Sequence, residues 1–361
     1  MTAPSIPKER LRRILVVKLS SIGDVIHALP TVAALRRGFP ESFLAWMVEE
    51  EAAGIVTGNP HVDETIVLPR RRWRKELGER SRRRKVLQEM WQFLKTLRAR
   101  EFDLVVDLQG LFKSAIPVLL SGAPYRVGFS RGRELSPLFL TDRIEVDNGA
   151  MHSVDRYLEI PRYLGVPAGG KDFTIAITEK EEGAVTRLLA GNGSFSGGIR
   201  VVLNAPARWE SKRWPPENFA RLGDRLAREL KVQVILTGGT TDRPLVEGIA
   251  SRMATRPLML AGKTSLKELG ALLKRVALVI SCDSGPLHLA AAMGTPTLAL
   301  FGPTDPMRTG PYGEGHRILQ AKLDCTPCFR RRCSLNRCLS EITVEETFRQ
   351  AEQMLHLGGR V

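Results

Sequence analysis

No apolar run in this 361-residue chain approaches the roughly 20 residues that cross a bilayer, which argues against a helical membrane span. The amino terminus, Met1 to Arg10, carries charge but no apolar stretch of the kind that heads a secretory signal, so a cytoplasmic protein is expected. No Gly-x-Gly-x-x-Gly follows the first strand-like run, which removes the usual dinucleotide fingerprint. One P-loop-like fragment, Ala261-Gly262-Lys263-Thr264, has Pro257 where the first glycine is required. No Asp-x-Asp pair occurs anywhere, which argues against a divalent-metal diphosphate clamp and predicts chemistry without a catalytic metal. Short-period repeats and long low-complexity segments are also missing.

Acidic residues are the remaining shortage. With 54 Lys and Arg against 39 Asp and Glu the net charge is +15, which implies an anionic partner or surface: nucleic acid, anionic lipid or a phosphorylated substrate. More than half of that excess lies between Arg70 and Lys85, where ten basic residues meet only Glu76 and Glu79. Such a run reads either as a solvated loop or as a contact for anions. It leads into a helical pattern from Val86 to Arg98, with Val86, Leu87, Met90, Phe93, Leu94 and Leu97 at helical spacing.

What is present is an ordinary core composition, 43% hydrophobic, in a chain long enough for two domains. Apolar strand-like runs such as Ile14 to Lys18, Phe43 to Val48, Arg200 to Leu203, Ala277 to Ile280 and Thr297 to Phe301 alternate with helical patterns. That alternation predicts an α/β protein with mostly parallel sheets. A soft stretch from Val166 to Lys171 is the expected linker, giving domains over 1–168 and 169–342. An amphipathic final helix within 343–361 is expected to pack back on the first domain.

Six unusual loops each follow a strand-like run: Ser20 to Asp24, Gln109-Gly110, Asn204 to Lys212, Thr237 to Asp242, Asp283 to His288 and Gly302 to Asp305. Parallel sheets bind ligands outside the carboxyl ends of their strands, so these loops predict a site in a cleft between the domains. In the first, Asp24 is either a helix cap or a general base for a hydroxyl nucleophile, and Ser20, Ser21 and Gly23 would let a substrate come close. In the fifth, Asp283, Ser284, Gly285 and His288 open a helix whose free amides suit a diphosphate; the plain alternative is a well-capped helix. Lys212 is either surface charge or a neutraliser of a leaving phosphate. Cys325, Cys328, Cys333 and Cys338 can hold a structural metal, form two disulfides or remain thiols, since the spacing lacks the usual paired knuckles.

Three stretches together resemble a known family: KLSSIGDVIHALP (Lys18 to Pro30), SKRWPPENF (Ser211 to Phe219) and SCDSGPLHLAAAMGTPTLALFGPTDP (Ser281 to Pro306). They are similar to the lipopolysaccharide heptosyltransferases of glycosyltransferase family 9. RRRWRK (Arg70 to Lys75) and DLQGLFKS (Asp107 to Ser114) look most like the heptosyltransferase I branch. The resemblance implies the GT-B fold, two Rossmann-like domains facing across a cleft. It also implies transfer of L-glycero-D-manno-heptose from ADP-heptose, a substrate and not a cofactor, to the Kdo of Kdo2-lipid A, with inversion.

Carried over residue by residue, the resemblance makes Asp24 the base and Lys212 the diphosphate holder. It places Asp283, Ser284, Gly285 and His288 on the donor loop, with Asp242 near the nucleoside. Arg71, Arg72, Lys75, Lys113, Arg131 and Arg133 would face the anionic acceptor. No cofactor and no nucleic acid are implied, and the enzyme would work peripherally at the inner face of the inner membrane. Two readings remain beside this one: a related transferase with another acceptor or nucleotide sugar, and a basic binding module for nucleic acid or membrane that has no catalysis.

Overall fold

Two six-stranded, wholly parallel sheets organise the chain. The computed structural model describes residues 6–146, 151–190 and 198–357. The chain divides into Met1–Ala176 and Ile177–Val361, eight residues beyond the expected boundary. Residues 1–5 of the expected first domain, and 358–361 of the expected final helix segment, lie outside the described residues.

In the first unit the strands are β1 (Arg13–Val17), β2 (Phe43–Glu49), β3 (Glu64–Leu68), β4 (Leu104–Asp107), β5 (Tyr125–Phe129) and β6 (Asp142–Ile144), ordered 3-2-1-4-5-6 across the sheet. The helices are α1 (Ile22–Gly38), α2 (Ala53–Val56), α3 (Arg70–Glu76), α4 (Arg83–Arg98), α5 (Phe112–Leu120) and α6 (Ser153–Tyr163). Ile14, Leu15, Val16 and Val17 are all buried because a central parallel strand is covered on both faces. Helices α1 and α6 pack against each other. Val86 and Leu97 of α4 and Val118 of α5 join Leu15, Val17 and Val105 in one core cluster.

The basic run is not one solvated loop. Arg70–Glu76 is helical, with Trp73 buried, and Arg83 already belongs to α4. Pairing of arginines with Glu49, Glu51, Glu76 and Glu89 lets so cationic a segment fold.

The second unit contains β7 (Arg200–Asn204), β8 (Gln233–Leu236), β9 (Leu258–Met259), β10 (Leu278–Cys282), β11 (Thr297–Phe301) and β12 (His316–Gln320). Its order, β12-β11-β10-β7-β8-β9, repeats that of the first sheet. Both are the doubly wound order of dinucleotide-binding folds, whose crevice opens where the strand sequence reverses: between β1 and β4, and between β7 and β10. The helices are α7 (Glu179–Ala190), α8 (Pro216–Glu229), α9 (Arg243–Ala250), α10 (Leu266–Leu273), α11 (Gly285–Ala292), α12 (Pro306–Thr309), α13 (Arg337–Ser340) and α14 (Val344–Leu357).

Helix α14 packs on α8 and β10, and Phe348, Ala351 and Leu355 enter the second unit's core beside Phe219 and Leu226. Trp214 Nε1 donates to the Ile342 carbonyl at 2.9 Å, fixing the chain just before the helix. No described helix is long and apolar enough to cross a membrane.

Candidate active site

All six strand-end loops follow the carboxyl ends of strands, and the four richest flank the two reversal points. In the first unit, Ser21 caps α1, and Asp24 Oδ2 accepts from the Ser21 amide at 3.0 Å and from its hydroxyl at 2.8 Å. The capping reading of Asp24 is therefore part of the structure. Asp24 is only partly buried, at the carboxyl end of β1. Gln109 Oε1 accepts from the Leu19 and Ser20 amides, both at 3.0 Å, and so ties the β4 turn to the β1 loop.

Around this loop lie charged residues that sequence reading had not assigned a role. Lys18 is buried, and its ammonium donates to the Tyr157 hydroxyl at 2.7 Å and to the Leu108 carbonyl at 3.0 Å. Burial works against its charge, yet Tyr157, Asp24 and Asp107 outweigh that and raise its pKa. Asp107 accepts from the Gln109 and Gly110 amides and from the Ser114 hydroxyl, and burial pushes its carboxyl up. Glu49, 2% exposed, accepts from Arg70 at 2.8 Å and Lys113 at 3.1 Å. Burial opposes its ionisation, but Arg70 and Lys113 hold its carboxyl below the usual range. The missed signal is a shared position: Lys18, Glu49 and Asp107 each sit at or just after the carboxyl end of an apolar strand, where a charge is tolerated only if a neighbouring loop pairs it.

The expected acceptor cations fall into two groups. Arg71, Arg72 and Lys75 line a pocket of about 480 Å³ that also holds Glu76 and Arg82. Arg71 is ion-paired with Glu51, and Arg72 with Glu89 at 2.9 Å. Lys113 instead reaches Ser20 as well as Glu49. Arg131 and Arg133 are exposed on the loop whose Arg133 amide donates to Gly110 at 2.9 Å, beside the same turn.

In the second unit, Lys212 and Asp283 form a short ion pair of 2.5 Å between the β7 and β10 loops. Asp283 also accepts from Thr304 Oγ1 at 2.6 Å and faces His288 Nε2 at 3.5 Å. Burial opposes its charge, but His288 and Lys212 keep the carboxylate far below the usual range. Ser284 stands at the N-cap position of α11, where its hydroxyl makes no capping bond and instead accepts from Asn204 Nδ2 at 3.1 Å; Asn204 also donates to Ser281. Gly285 begins the helix, so the first-turn amides gather where the lysine ends. The Lys212 ammonium lies 4.5 Å above the Trp209 ring. Asp242 accepts from the Gly239 amide at 2.9 Å, a local cap after β8.

The four clustered cysteines lie near one another, with Cys325, Cys328 and Cys333 all acting on the Cys338 thiol. All five are free thiols, and among the described residues no group of three or more His, Cys, Asp or Glu is arranged to hold an ion. Cys338 is buried at α13 while Cys325 and Cys333 are exposed, so the four thiols lie at different depths. Their loop braces the loops after β7 and β11: Ser211 Oγ donates to the Arg330 carbonyl at 2.6 Å, and the Cys328 and Phe329 amides donate to the Pro303 carbonyl.

Residues 90–339 match glycosyltransferase family 9 (heptosyltransferase). Lipopolysaccharide heptosyltransferase 1 of Escherichia coli K12 is 32% identical over 86% of this chain and 93% of its own length. A family 9 glycosyl transferase from Veillonella parvula superposes with a TM-score of 0.84 at 26% identity, covering 99% of this chain and all of that one. The E. coli heptosyltransferase WaaC, solved with ADP, gives 0.75 at 28% identity, covering 95% of this chain and 99% of that chain.

Proposed function

The chain belongs to glycosyltransferase family 9, the heptosyltransferases, and from that premise we propose that it transfers L-glycero-D-manno-heptose from ADP-heptose to the Kdo of Kdo2-lipid A, inverting the anomeric centre. The observation that carries this reading is the pair of loops at the two reversal points: a carboxylate at the start of α1, and a lysine held beside free helix amides at the start of α11. Membership of an enzyme family replaces the binding-module alternative. Trp73, the aromatic residue that alternative would use for base stacking, is also buried.

In the proposed reaction Asp24 accepts the proton of the acceptor hydroxyl as its oxygen bonds to the anomeric carbon. The bond from that carbon to the β-phosphate oxygen breaks, and ADP leaves with the electron pair. Lys212 exchanges its contact with Asp283 for the departing diphosphate, while Thr304 and His288 keep Asp283 in place. The Ser284 and Gly285 end of α11 stabilises the same charge. The chemistry uses no cofactor and no catalytic metal, since the leaving charge meets lysine and amides. The anionic acceptor is recognised by Arg71, Arg72, Lys75, Lys113, Arg131 and Arg133, and the enzyme works at the cytoplasmic face of the inner membrane.

Asp24→Asn is the direct test. Asparagine keeps a side-chain oxygen able to accept from the Ser21 amide, so fold and ADP affinity should persist while turnover falls roughly 10²- to 10⁴-fold. Turnover near that of the wild type removes Asp24 as the base. Offering ADP-heptose with Kdo2-lipid A, and separately with its mono-heptosylated product, assigns the acceptor by mass. A gain of heptose on the second alone replaces heptosyltransferase I activity with that of a later enzyme.

A further inference from the structure

The outer surface of α5 is apolar where a soluble protein is usually polar, and α4 beside it sets Leu87 and Trp91 among exposed cations and glutamines. Helix α5 is apolar nearly all round. Its Ala115 and Val118 are buried, yet Phe112, Ile116, Leu119 and Leu120, a stripe at helical spacing, are exposed. Leu138, on the 3-10 turn that packs against α5, is 65% exposed. Helix α4 lies on the same sheet face, through Val86 and Leu97, and exposes Leu87 and Trp91 four residues apart, Trp91 by 64%. Leu87 and Trp91 line an open groove of about 1020 Å³ against Val67 of the edge strand β3. Exposed apolar surface on this scale marks an interaction site.

The charge beside it selects the partner. From Arg70 to Arg98 there are twelve basic residues and three acidic ones, and Glu76 and Glu89 are already paired with arginines. Lys95 lies 5.3 Å over the Trp91 ring. Leucine, phenylalanine and tryptophan beside lysine and arginine are the features of helices that rest in the plane of an anionic bilayer. Lys113, on α5 itself, turns the other way, toward Ser20 and Glu49. One short helix thus carries an apolar stripe outward and a cation to the Asp24 loop.

We propose that the outer face of α4 and α5, with Leu87, Trp91, Phe112, Ile116, Leu119 and Leu138 inserted among the headgroups, docks the first unit onto an anionic bilayer. The lipid-acceptor reading supplies the purpose of this contact; its test is independent of any transfer.

Vesicles of phosphatidylcholine, with and without phosphatidylglycerol, are the probe. Wild type should bind the anionic vesicles, and Leu87→Ser/Trp91→Ser and Ile116→Ser/Leu119→Ser should each bind about tenfold more weakly, with circular dichroism and ADP affinity unchanged. Lipids brominated on their chains should quench the wild-type fluorescence more than that of Trp91→Phe, a variant that keeps the ring apolar. Equal quenching, or undiminished binding by both double variants, overturns the proposal. So does a concentration-dependent dimer that the double variants abolish while vesicle binding survives, which would give this face to a second copy. If no acceptor is glycosylated in any assay, the transfer reading fails while the vesicle result still decides this one.

Discussion

Lys212 and Asp283 show how one contact can serve both stability and chemistry. The ion pair is 71 residues apart in sequence and nearly excluded from water, so removing the cation leaves a buried carboxylate with only Thr304 and His288. Lys212→Met should therefore lower stability by about 3 kcal/mol and weaken ADP binding as well. The pH dependence has a definite sign. The folded-state pKa of Asp283 is depressed, so its contribution is complete above the ordinary carboxylate range and disappears as pH falls through the folded value. Urea unfolding of wild type and variant should differ most near neutrality and converge in strong acid. A constant gap would show that the pair does not couple to protonation. Glu49, with Arg70 and Lys113, follows the same logic on the first unit.

Among the elements, α14 and the Trp214 segment join the end of the second unit to its beginning. Phe348 packs in the core and lies under Arg225, while Trp214 stacks edge-on with Phe219 at 5.0 Å. Phe348→Ala should cost about 3–5 kcal/mol in urea denaturation. Trp214→Phe should cost about 1–3 kcal/mol, mainly by leaving the Ile342 carbonyl without its donor. A Phe348→Ala value below that of an exposed substitution would show that α14 is not part of the cooperative core. The elements missed in the sequence have a common cause. Tyr125–Phe129 carries Arg126 and Gly128, Asp142–Ile144 is three residues long, and Phe112–Leu120 contains Pro117, so none presents a clean period. Gly128 is needed because a Cβ there would meet Leu140 at 2.8 Å, a packing constraint that leaves no mark on a hydrophobic pattern.

For the whole molecule, the basic run Arg70 to Lys85, ten cations against two acids within the first unit, predicts unequal responses to salt. Raising ionic strength from low to physiological shortens the screening length to about 8 Å, so the KM for an anionic acceptor should rise while ADP affinity changes little, because Lys212 is largely shielded. Steady-state kinetics across a sodium chloride series checks this. Equal salt dependence of both substrates would mean that the basic segment does not contact the acceptor. The two sheets have the same strand order, which puts one reversal point in each unit and accounts for the separate clustering of Asp24 with Lys18 and of Lys212 with Asp283.

Sequence alone determined the βα alternation, the six loops at strand ends, the family motifs and the excess of cations. Each is a local pattern, written by whether a residue faces core or water within a single element. Only tertiary structure decided which charges meet. Lys18 finds Tyr157 across 139 residues, Lys113 finds Glu49 across 64, and α14 settles on α8. Those choices depend on which strands become neighbours after each crossover. A side chain's period reports that it is buried and leaves its partner unspecified, because pairing energy resides in the packed sheet and not in the segment.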